Sequence, residues 1–254
     1  MSGVSGISSN ANLYGQIASG RRINSAADDA AGLTIDEKLK SQEGGLDVGS
    51  QNAKDGIGVL NIADGALGQI NDSLQRIYEL SVKAMNGTTS ADQKSAIQAE
   101  VGQLMDDIQG IAKGTEYNTM KILDGSMADM NMATNPKGDG PSIKMVNSTL
   151  ETLGIDGYDV TGDFDISRIE NAIAKVSESR SSLGASTNAL ESVYNSNQNT
   201  YLNTAASESK LADLDMAKSI SEQKKNETLN LYQLMMQKKQ QEDEEQKKLG
   251  ILQF

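Results

Sequence analysis

The apolar positions of this chain recur at steps of three and four residues over long stretches, the spacing that places side chains on one face of an α-helix. Between residues 60 and 84 the two steps alternate, as they do along the seam of a coiled coil. The positions of this first seam are Leu60, Ala63, Leu67, Ile70, Leu74, Ile77, Ser81 and Ala84. We predict a long helix that ends near Asn86-Gly87, because glycine readily takes the left-handed conformation that closes a helix.

A second predicted helix starts at Ser90. The serine hydroxyl can accept a hydrogen bond from the amide of Gln93 while the Gln93 side chain reaches back, an arrangement called a capping box. The apolar positions before the stop at Gly114 are Ile97, Val101, Leu104, Ile108 and Ile111. Because only a short link joins the two helices, we expect them to lie antiparallel and to share a seam.

A third helical region is predicted from about Asp165 and Ser167, with Glu170 completing another capping box. Its seam becomes polar towards Asn197 and consists of Ile166, Ile169, Ile173, Val176, Arg180, Leu183, Thr187, Leu190, Tyr194, Asn197 and Tyr201. A last helical segment carries apolar residues at positions 229–236. A charged block at 238–248 and an apolar tip at 249–254 follow it.

Residues 124–162 differ in character from the rest of the chain. Both prolines and three Asp-Gly pairs lie there, and such residues favour turns. The run 142–146 could form a strand. The segment is too short for a sizeable separate domain, so we interpret it as a small cap that contains a hairpin.

These patterns predict a mainly α fold, a long antiparallel coiled-coil bundle formed by the N- and C-terminal segments. A turn-rich segment with a β-hairpin is expected at about 115–164. If the three seams face one another, the core is narrow and almost wholly aliphatic. The predicted core residues are Leu67, Ile70, Leu74, Ile77, Ile97, Leu104, Ile108, Ile173, Val176 and Leu183.

Composition argues against several classes of function. The 254 residues carry a net charge of -12, which disfavours a nucleic-acid partner, and they include no Cys or His, the usual zinc ligands. We therefore predict no catalytic residue, no cofactor and no metal site. Asp28 and Asp29 are interpreted as first-turn helix charges behind a Ser25 cap. We also expect no membrane segment and no cleavable signal peptide.

Several ordered blocks of residues resemble those of bacterial flagellins. The most specific is 19–35, Ser-Gly-Arg-Arg-Ile-Asn-Ser-Ala-Ala-Asp-Asp-Ala-Ala-Gly-Leu-Thr-Ile. Similar blocks follow in the family's order at 50–60, 66–76, 79–82, 97–100, 115–118, 121–123, 180–185 and 215–217. The resemblance implies a structural subunit that is exported and polymerises into the extracellular flagellar filament for motility. It also implies a short form without outer variable domains, and no enzyme.

The resemblance further implies a division of the chain into layers. Residues 1–30 and 213–254 would form an inner helical layer through which subunits polymerise, and residues 31–212 would form the shaft. Before assembly the two ends, residues 1–25 and 220–254, should be disordered, including the Ser-, Gly- and Asn-rich start at 1–12. Two departures from the family are a shorter arm before Ser19 and the charged ending of the chain.

The partners implied by the resemblance are other copies of the chain, the flagellar export apparatus and a flagellin chaperone at the C-terminal segment. A further implied partner is the flagellin-sensing Toll-like receptor. The residues similar to its contact patch are Leu74, Gln75, Arg76, Leu80 and Glu100. Tyr78 departs from that patch, and a solvated helix face or a contact between subunits also fits these charges. Alternative functions are a hook-filament junction protein or a cytosolic coiled-coil scaffold.

Overall fold

The structure, a computed structural model, describes residues 12–251, with side chains up to residue 246. Its helices are 12–19 (α1), Ala30–Met85 (α2), Ala91–Gly114 (α3), Leu150–Leu153 (α4), Ser167–Ala212 (α5) and Met216–Ile251 (α6). Its strands form two antiparallel pairs, Glu116–Tyr117 (β1) with Met120–Lys121 (β2) and Asp129–Asn131 (β3) with Ser142–Lys144 (β4). The predicted fold class, long helices from both ends of the chain with small strand pairs in the middle, is confirmed.

The chain divides into two compact units. The terminal unit comprises the residues up to Gln42 and those from Leu202 onward, and the central unit comprises Glu43–Tyr201. The divisions fall inside α2 and α5. The predicted layers, which change at residues 30 and 213, stay a prediction about the assembled protein.

The core of the central unit is built on the first seam of α2, and every position of that seam is buried. Eight of the ten predicted core residues are buried in the same cluster: Leu67, Ile70, Leu74, Ile77, Ile97, Ile108, Val176 and Leu183. Leu104 and Ile173 are only half-buried and pack against the cluster, which corrects the prediction for these two. Next to Ile173, Ala172 takes the fully buried position. The face of α5 that packs into the core therefore includes Ala172 in place of Ile173.

The turn-rich segment is part of this core rather than a cap. It adds eight buried residues to the same cluster: Ile122, Leu123, Ile143, Met145, Leu153, Ile155, Tyr158 and Val160. The β1–β2 hairpin turns through Asn118 and Thr119, both at positive φ, which is the pattern of a type I′ turn. The predicted strand at 142–146 corresponds to β4, which occupies Ser142–Lys144.

The loop between β3 and β4 lies against both long helices of the central unit. Asn52 of α2 donates a hydrogen bond to the Ala133 carbonyl at 2.7 Å, and Asn197 of α5 donates to the Thr134 carbonyl at 2.6 Å. A Cβ atom on Gly49 would lie 2.2 Å from that Thr134 oxygen, so only glycine fits there. The predicted seam of α5 becomes polar at Asn197 because this side chain holds the β3–β4 loop by a hydrogen bond.

The predicted helix ends are partly corrected. The Ser90–Gln93 capping box forms as predicted. The start of α2 is capped by Asp29, whose carboxylate accepts from the Gly32 amide at 2.8 Å, and not by Ser25. Ser25 instead donates to Asp28, and backbone hydrogen bonds from Asn24 and Ser25 help to lower the pKa of that carboxyl.

At the start of α5 the cap also differs from the prediction. The Asp165 carboxylate accepts from the Ser167 amide at 2.9 Å, so an Asx turn takes the place expected for a Ser167–Glu170 capping box. Both corrections share one cause. A carboxylate two or three residues before a helical amide reaches it as well as a serine hydroxyl does, and spacing alone does not choose between them.

Candidate assembly surfaces

In the terminal unit, backbone hydrogen bonds hold the segment after α1 against the junction of α5 and α6. The Arg22 amide donates to the Ala212 carbonyl at 2.7 Å, and the Leu214 amide donates to the Gly20 carbonyl at 3.0 Å. Gly20 has a φ of 68°, a left-handed conformation that glycine adopts without strain. The segment after α1 and the junction of α5 and α6 therefore meet within the terminal unit.

A cluster of four charges supports this junction. The Arg21 guanidinium contacts both Asp36 carboxylate oxygens, at 2.7 and 2.8 Å, and also Glu208 at 3.0 Å. Lys40 contacts Asp36 at 3.0 Å and lies 3.8 Å from Glu208. Asp36 is almost completely buried, at 1% exposure. The cluster ties together the N-terminal segment, α2 and α5.

The pKa values of the two carboxylates in the cluster are shifted in opposite directions. Burial would raise the pKa of Asp36, but hydrogen bonds with Lys40, Glu208 and Arg21 outweigh it and hold that pKa below its usual range. Burial raises the pKa of Glu208, and its hydrogen bond with Asp36 raises it further.

The second half of α6 leaves large apolar side chains in water. Positions 227–246 are all exposed, and the apolar members are between 42% (Met236) and 67% (Leu234) accessible. They are Leu229, Leu231, Tyr232, Leu234, Met235 and Met236. Large exposed apolar areas are often found where proteins associate. The predicted apolar tip at 249–254 lies outside the residues whose side chains the structure describes.

The charged surface of the central unit is centred on Arg76. Its guanidinium contacts Glu100 of α3 at 2.8 and 2.9 Å and Glu79 at 3.1 Å. Gln75, Arg76 and Glu100 are exposed, beside an open groove towards the α2–α3 link.

Two members of the predicted contact patch are in the core. Leu74 is completely buried, so the structure places it in the core and not on the exposed patch. Leu80 is 3% exposed and lies at the base of the groove that Arg76 and Glu100 also line. For Leu74 the physical reason is the helical period, since Arg76 lies about 200° around α2 from it. Leu80 lies only about 40° from Arg76, so its burial in the cluster depends on the neighbours that cover the edge of this face.

Sequence reasoning missed one polar contact inside the core and one ion pair at its edge. The Tyr158 hydroxyl donates to Ser81 at 3.0 Å, and burial raises the pKa of Tyr158. Arg180, assigned to the α5 seam, is half-buried and pairs with Asp64 at 2.7 Å. The hydroxyl of Ser81 inside an otherwise apolar seam was the available signal, since a buried hydroxyl needs a partner.

The described residues contain no group of three or more Asp, Glu, His or Cys that could hold a metal ion. Within the same part of the chain, no helix has the length and apolar character needed to cross a membrane.

Comparisons with known proteins place this helical protein in a family. A model of the bacterial flagellin N-terminal helical region matches residues 5–128, and one of the C-terminal helical region matches 166–250. The chain is similar to a flagellin of Halalkalibacterium halodurans, with 35% identity over 85% of this chain and 82% of that protein. It is also 34% identical to a flagellin of Bacillus subtilis, over 85% of this chain and 84% of the relative.

Solved structures agree with this placement. The crystal structure of Bacillus cereus flagellin superposes with a TM-score of 0.52 at 26% identity, over 58% of this chain and 88% of that one. A putative flagellar hook-associated protein from Vibrio parahaemolyticus has a TM-score of 0.62, over 73% of this chain and all of that one. At 13% identity the second likeness concerns the fold alone.

The chain belongs to the bacterial flagellin family. Its predicted role as a structural subunit of the flagellar filament is confirmed, and the hook-associated alternative is less supported. The flagellins are a family of structural proteins, and their members assemble into the extracellular filament.

Proposed function

We propose that this flagellin polymerises through its terminal unit, with the exposed apolar residues of α6 buried between neighbouring copies. The observation that carries the proposal is the continuous exposure of positions 227–246. Each large apolar side chain removed from water contributes about 1.5–3 kcal/mol. Because α6 carries six of them within eight residues, its burial in a polymer is strongly favoured.

The proposal is tested with the variant Leu231→Gln/Leu234→Gln in the full-length protein. Fibres in negative-stain micrographs should be lost at concentrations at which the wild type assembles, with unchanged helical content by circular dichroism. The matched control is Asn230→Ala/Gln233→Ala, which changes exposed polar positions of the same stretch. Abundant normal fibres from the Leu231→Gln/Leu234→Gln variant would refute the proposal. Deleting residues 213–254 should likewise abolish fibres and leave the central unit helical.

We further propose that Arg76, with Gln75 and Glu100, forms a contact surface. In the filament it would meet another subunit, and in the free subunit it would meet the flagellin-sensing Toll-like receptor. The support is that this charged group is exposed and lies beside an open groove. Arg76→Ala should reduce receptor signalling or the lateral order of the fibres. Unchanged signalling and unchanged fibres would refute both roles.

Export is the third part of the proposal. The subunit would leave the cell through the flagellar export apparatus, with a flagellin chaperone covering the C-terminal segment until then. The exposed apolar stretch of α6 supports this, because it would aggregate or assemble too early in the cell. A flagellin chaperone should bind the full chain and not a chain lacking residues 213–254. Equal binding to both would contradict the assignment.

The hook-filament junction remains the second candidate function. The likeness in fold to a hook-associated protein favours it, and the sequence identity to flagellins outweighs that likeness. Junction proteins do not build long polymers, so long tubular fibres from the purified chain would decide for the filament subunit.

A further inference from the structure

The link between α2 and α3 contains Asn86 followed by Gly87, a pair that occurs once in the sequence. Both residues lie outside the helices, and both are exposed. A Cβ atom at Gly87 would meet nothing within 4 Å. The backbone nitrogen of Gly87 therefore has no side chain beside it, and the space around it is open to water.

Thr88 holds the Asn86 side chain in place. The Thr88 amide donates to Asn86 Oδ1 at 3.2 Å, and the Thr88 hydroxyl donates to the same oxygen at 3.0 Å. The bond from the amide two residues on closes an Asx turn, a ring of atoms that includes both the Asn86 Cγ carbon and the Gly87 nitrogen. Among the described residues, the Gly87 amide itself donates to no acceptor. The side-chain amide is thus folded over an unoccupied backbone nitrogen.

We propose that Asn86 is a self-modifying site, at which the Gly87 nitrogen displaces the side-chain amide. The nitrogen gives up its proton and forms a bond to Asn86 Cγ, and the electron pair of the C=O bond moves onto Oδ1. The two Thr88 donors stabilise the negative charge that develops on this oxygen. When the pair returns, the bond from Cγ to Nδ2 breaks. The departing nitrogen takes up a proton, so ammonia is released and a five-membered cyclic imide remains.

Water then opens the imide in one of two ways. Addition at Cγ breaks the bond to the Gly87 nitrogen and leaves aspartate at position 86. Addition at the main-chain carbonyl of residue 86 leaves isoaspartate, in which the main chain between α2 and α3 is longer by one carbon. Both products place a new carboxylate in the groove that Arg76 and Glu100 also line. The reaction proceeds whether or not this groove contacts a partner.

A second asparagine with the same hydrogen bonds serves as an internal comparison. Asn147 Oδ1 accepts from the Thr149 amide at 3.1 Å and from the Thr149 hydroxyl at 2.9 Å. The next residue, Ser148, is completely buried, and its amide donates to the Leu123 carbonyl at 2.9 Å. The nitrogen that would attack is therefore occupied and enclosed. Asn147 should stay unchanged, because the two sites differ in the nitrogen and not in the donors to the amide oxygen.

The test is peptide mass spectrometry of the full-length protein after incubation in mildly alkaline buffer made with heavy-oxygen water. Asn86 should convert to a mixture of aspartate and isoaspartate with one heavy oxygen incorporated, many times faster than Asn147. The rate should rise with pH, since the attacking nitrogen must lose a proton.

Three variants examine the chemistry. Gly87→Ala should slow conversion at least several-fold, because a methyl group then stands beside the nitrogen, and the open space leaves the fold intact. Thr88→Val keeps the shape of the side chain, removes one donor to Oδ1 and should also slow conversion. Thr89→Val is the matched control, because the Thr89 hydroxyl donates to the Lys83 carbonyl at 3.0 Å and not to Asn86. It should react as the wild type does.

The proposal is overturned if Asn86 shows no conversion or converts no faster than Asn147. Conversion at the wild-type rate in Gly87→Ala would exclude attack by the Gly87 nitrogen. An equal or higher rate in Thr88→Val than in Thr89→Val would show that the hydrogen bonds to Oδ1 do not assist the reaction.

Discussion

At the scale of single residues, neighbours along one helix have opposite roles. Leu74 is completely buried in the central unit, and Arg76, two positions on, is half-exposed and pairs with Glu100. Two residues correspond to about 200° around an α-helix, so one side chain faces the core and the other faces water. The difference between them is a test of the face assignment.

We expect Leu74→Ala to lower the free energy of unfolding by about 2–5 kcal/mol, because it leaves a cavity in a narrow aliphatic core. Arg76→Ala should cost less than about 0.5 kcal/mol in the monomer, since exposed ion pairs contribute little. Urea unfolding of both variants, followed by circular dichroism, measures the two values. If Arg76→Ala destabilised the monomer as much as Leu74→Ala, the assignment of the two faces would be wrong.

The charge cluster of the terminal unit makes a second prediction at this scale. Because the pKa of Glu208 is raised in the fold, its contribution to stability is full below its unfolded value of 4.5 and is lost as the pH rises through the folded value. The pKa of Asp36 is lowered, so its contribution is full above 3.8 and is lost at more acidic pH. The N-terminal segment should therefore be held most tightly in mildly acidic solution.

Hydrogen exchange of the Arg22 and Leu214 amides, corrected for the intrinsic rate, measures this attachment. Protection should increase as the pH falls from 7 towards 4.5. Glu208→Gln mimics the protonated form, keeps the neighbours Arg21, Asp36 and Lys40, and should remove that increase. Glu222→Gln, at an exposed position of α6, is the control and should behave as the wild type. A wild type without pH dependence in this range would contradict the prediction.

At the scale of elements, glycines in α2 serve different purposes. Gly49 lies under the β3–β4 loop, where a Cβ atom would collide with the Thr134 carbonyl. Gly65 has nothing within 4 Å of the place where a Cβ atom would be. The helix propensity of glycine is the same at both positions, so only the contacts with other elements distinguish Gly49 from Gly65.

We expect Gly49→Ala to destabilise the central unit by about 1–3 kcal/mol, because the loop must shift and strain its hydrogen bonds from Asn52 and Asn197. Gly65→Ala should instead stabilise it by up to about 1 kcal/mol, the difference in helix propensity between the two residues. Thermal unfolding of both variants gives the comparison. Two changes of the same sign would show that the loop does not press on α2 as described.

At the scale of the whole molecule, helices differ in how much of their stability comes from packing. The first seam of α2 is buried throughout, whereas positions 227–246 of α6 are exposed on all sides. A helix without tertiary contacts is only marginally stable in water. The helix in α6 should therefore be much less stable than the α2 seam in the free protein, and the two should become similarly stable in the polymer.

Hydrogen exchange on dilute monomer should be fast at 220–246 and slow at 57–84, and assembly into fibres should protect 220–246. Fast exchange is likewise expected at residues 1–25 and 247–254. Residues 1–11 lie outside the described part of the chain, whereas Arg22 lies in the junction, where its amide donates to the Ala212 carbonyl. Equal protection of the two segments in the monomer would contradict the proposal that α6 is completed by neighbouring copies.

Local signals in the sequence were enough to predict the long helices. The seam of α2, the Ser90 capping box and the stops near Asn86 and Gly114 all depend on residues within a few positions of one another. Such contacts are decided by helical period and backbone chemistry, which the order of residues displays directly. The family blocks added the function, because they lie in a fixed order along the chain.

Only the tertiary structure decided which residues meet across long separations. Tyr158 forms a hydrogen bond with Ser81, which is 77 positions away in the sequence, and Arg21 pairs with Glu208, which is 187 positions away. The turn-rich segment joined the core for the same reason, since its short apolar runs have no period that indicates where they pack. Burial of Leu80 beside an exposed Arg76 likewise depends on the neighbours that cover one side of α2, and these come from distant parts of the chain.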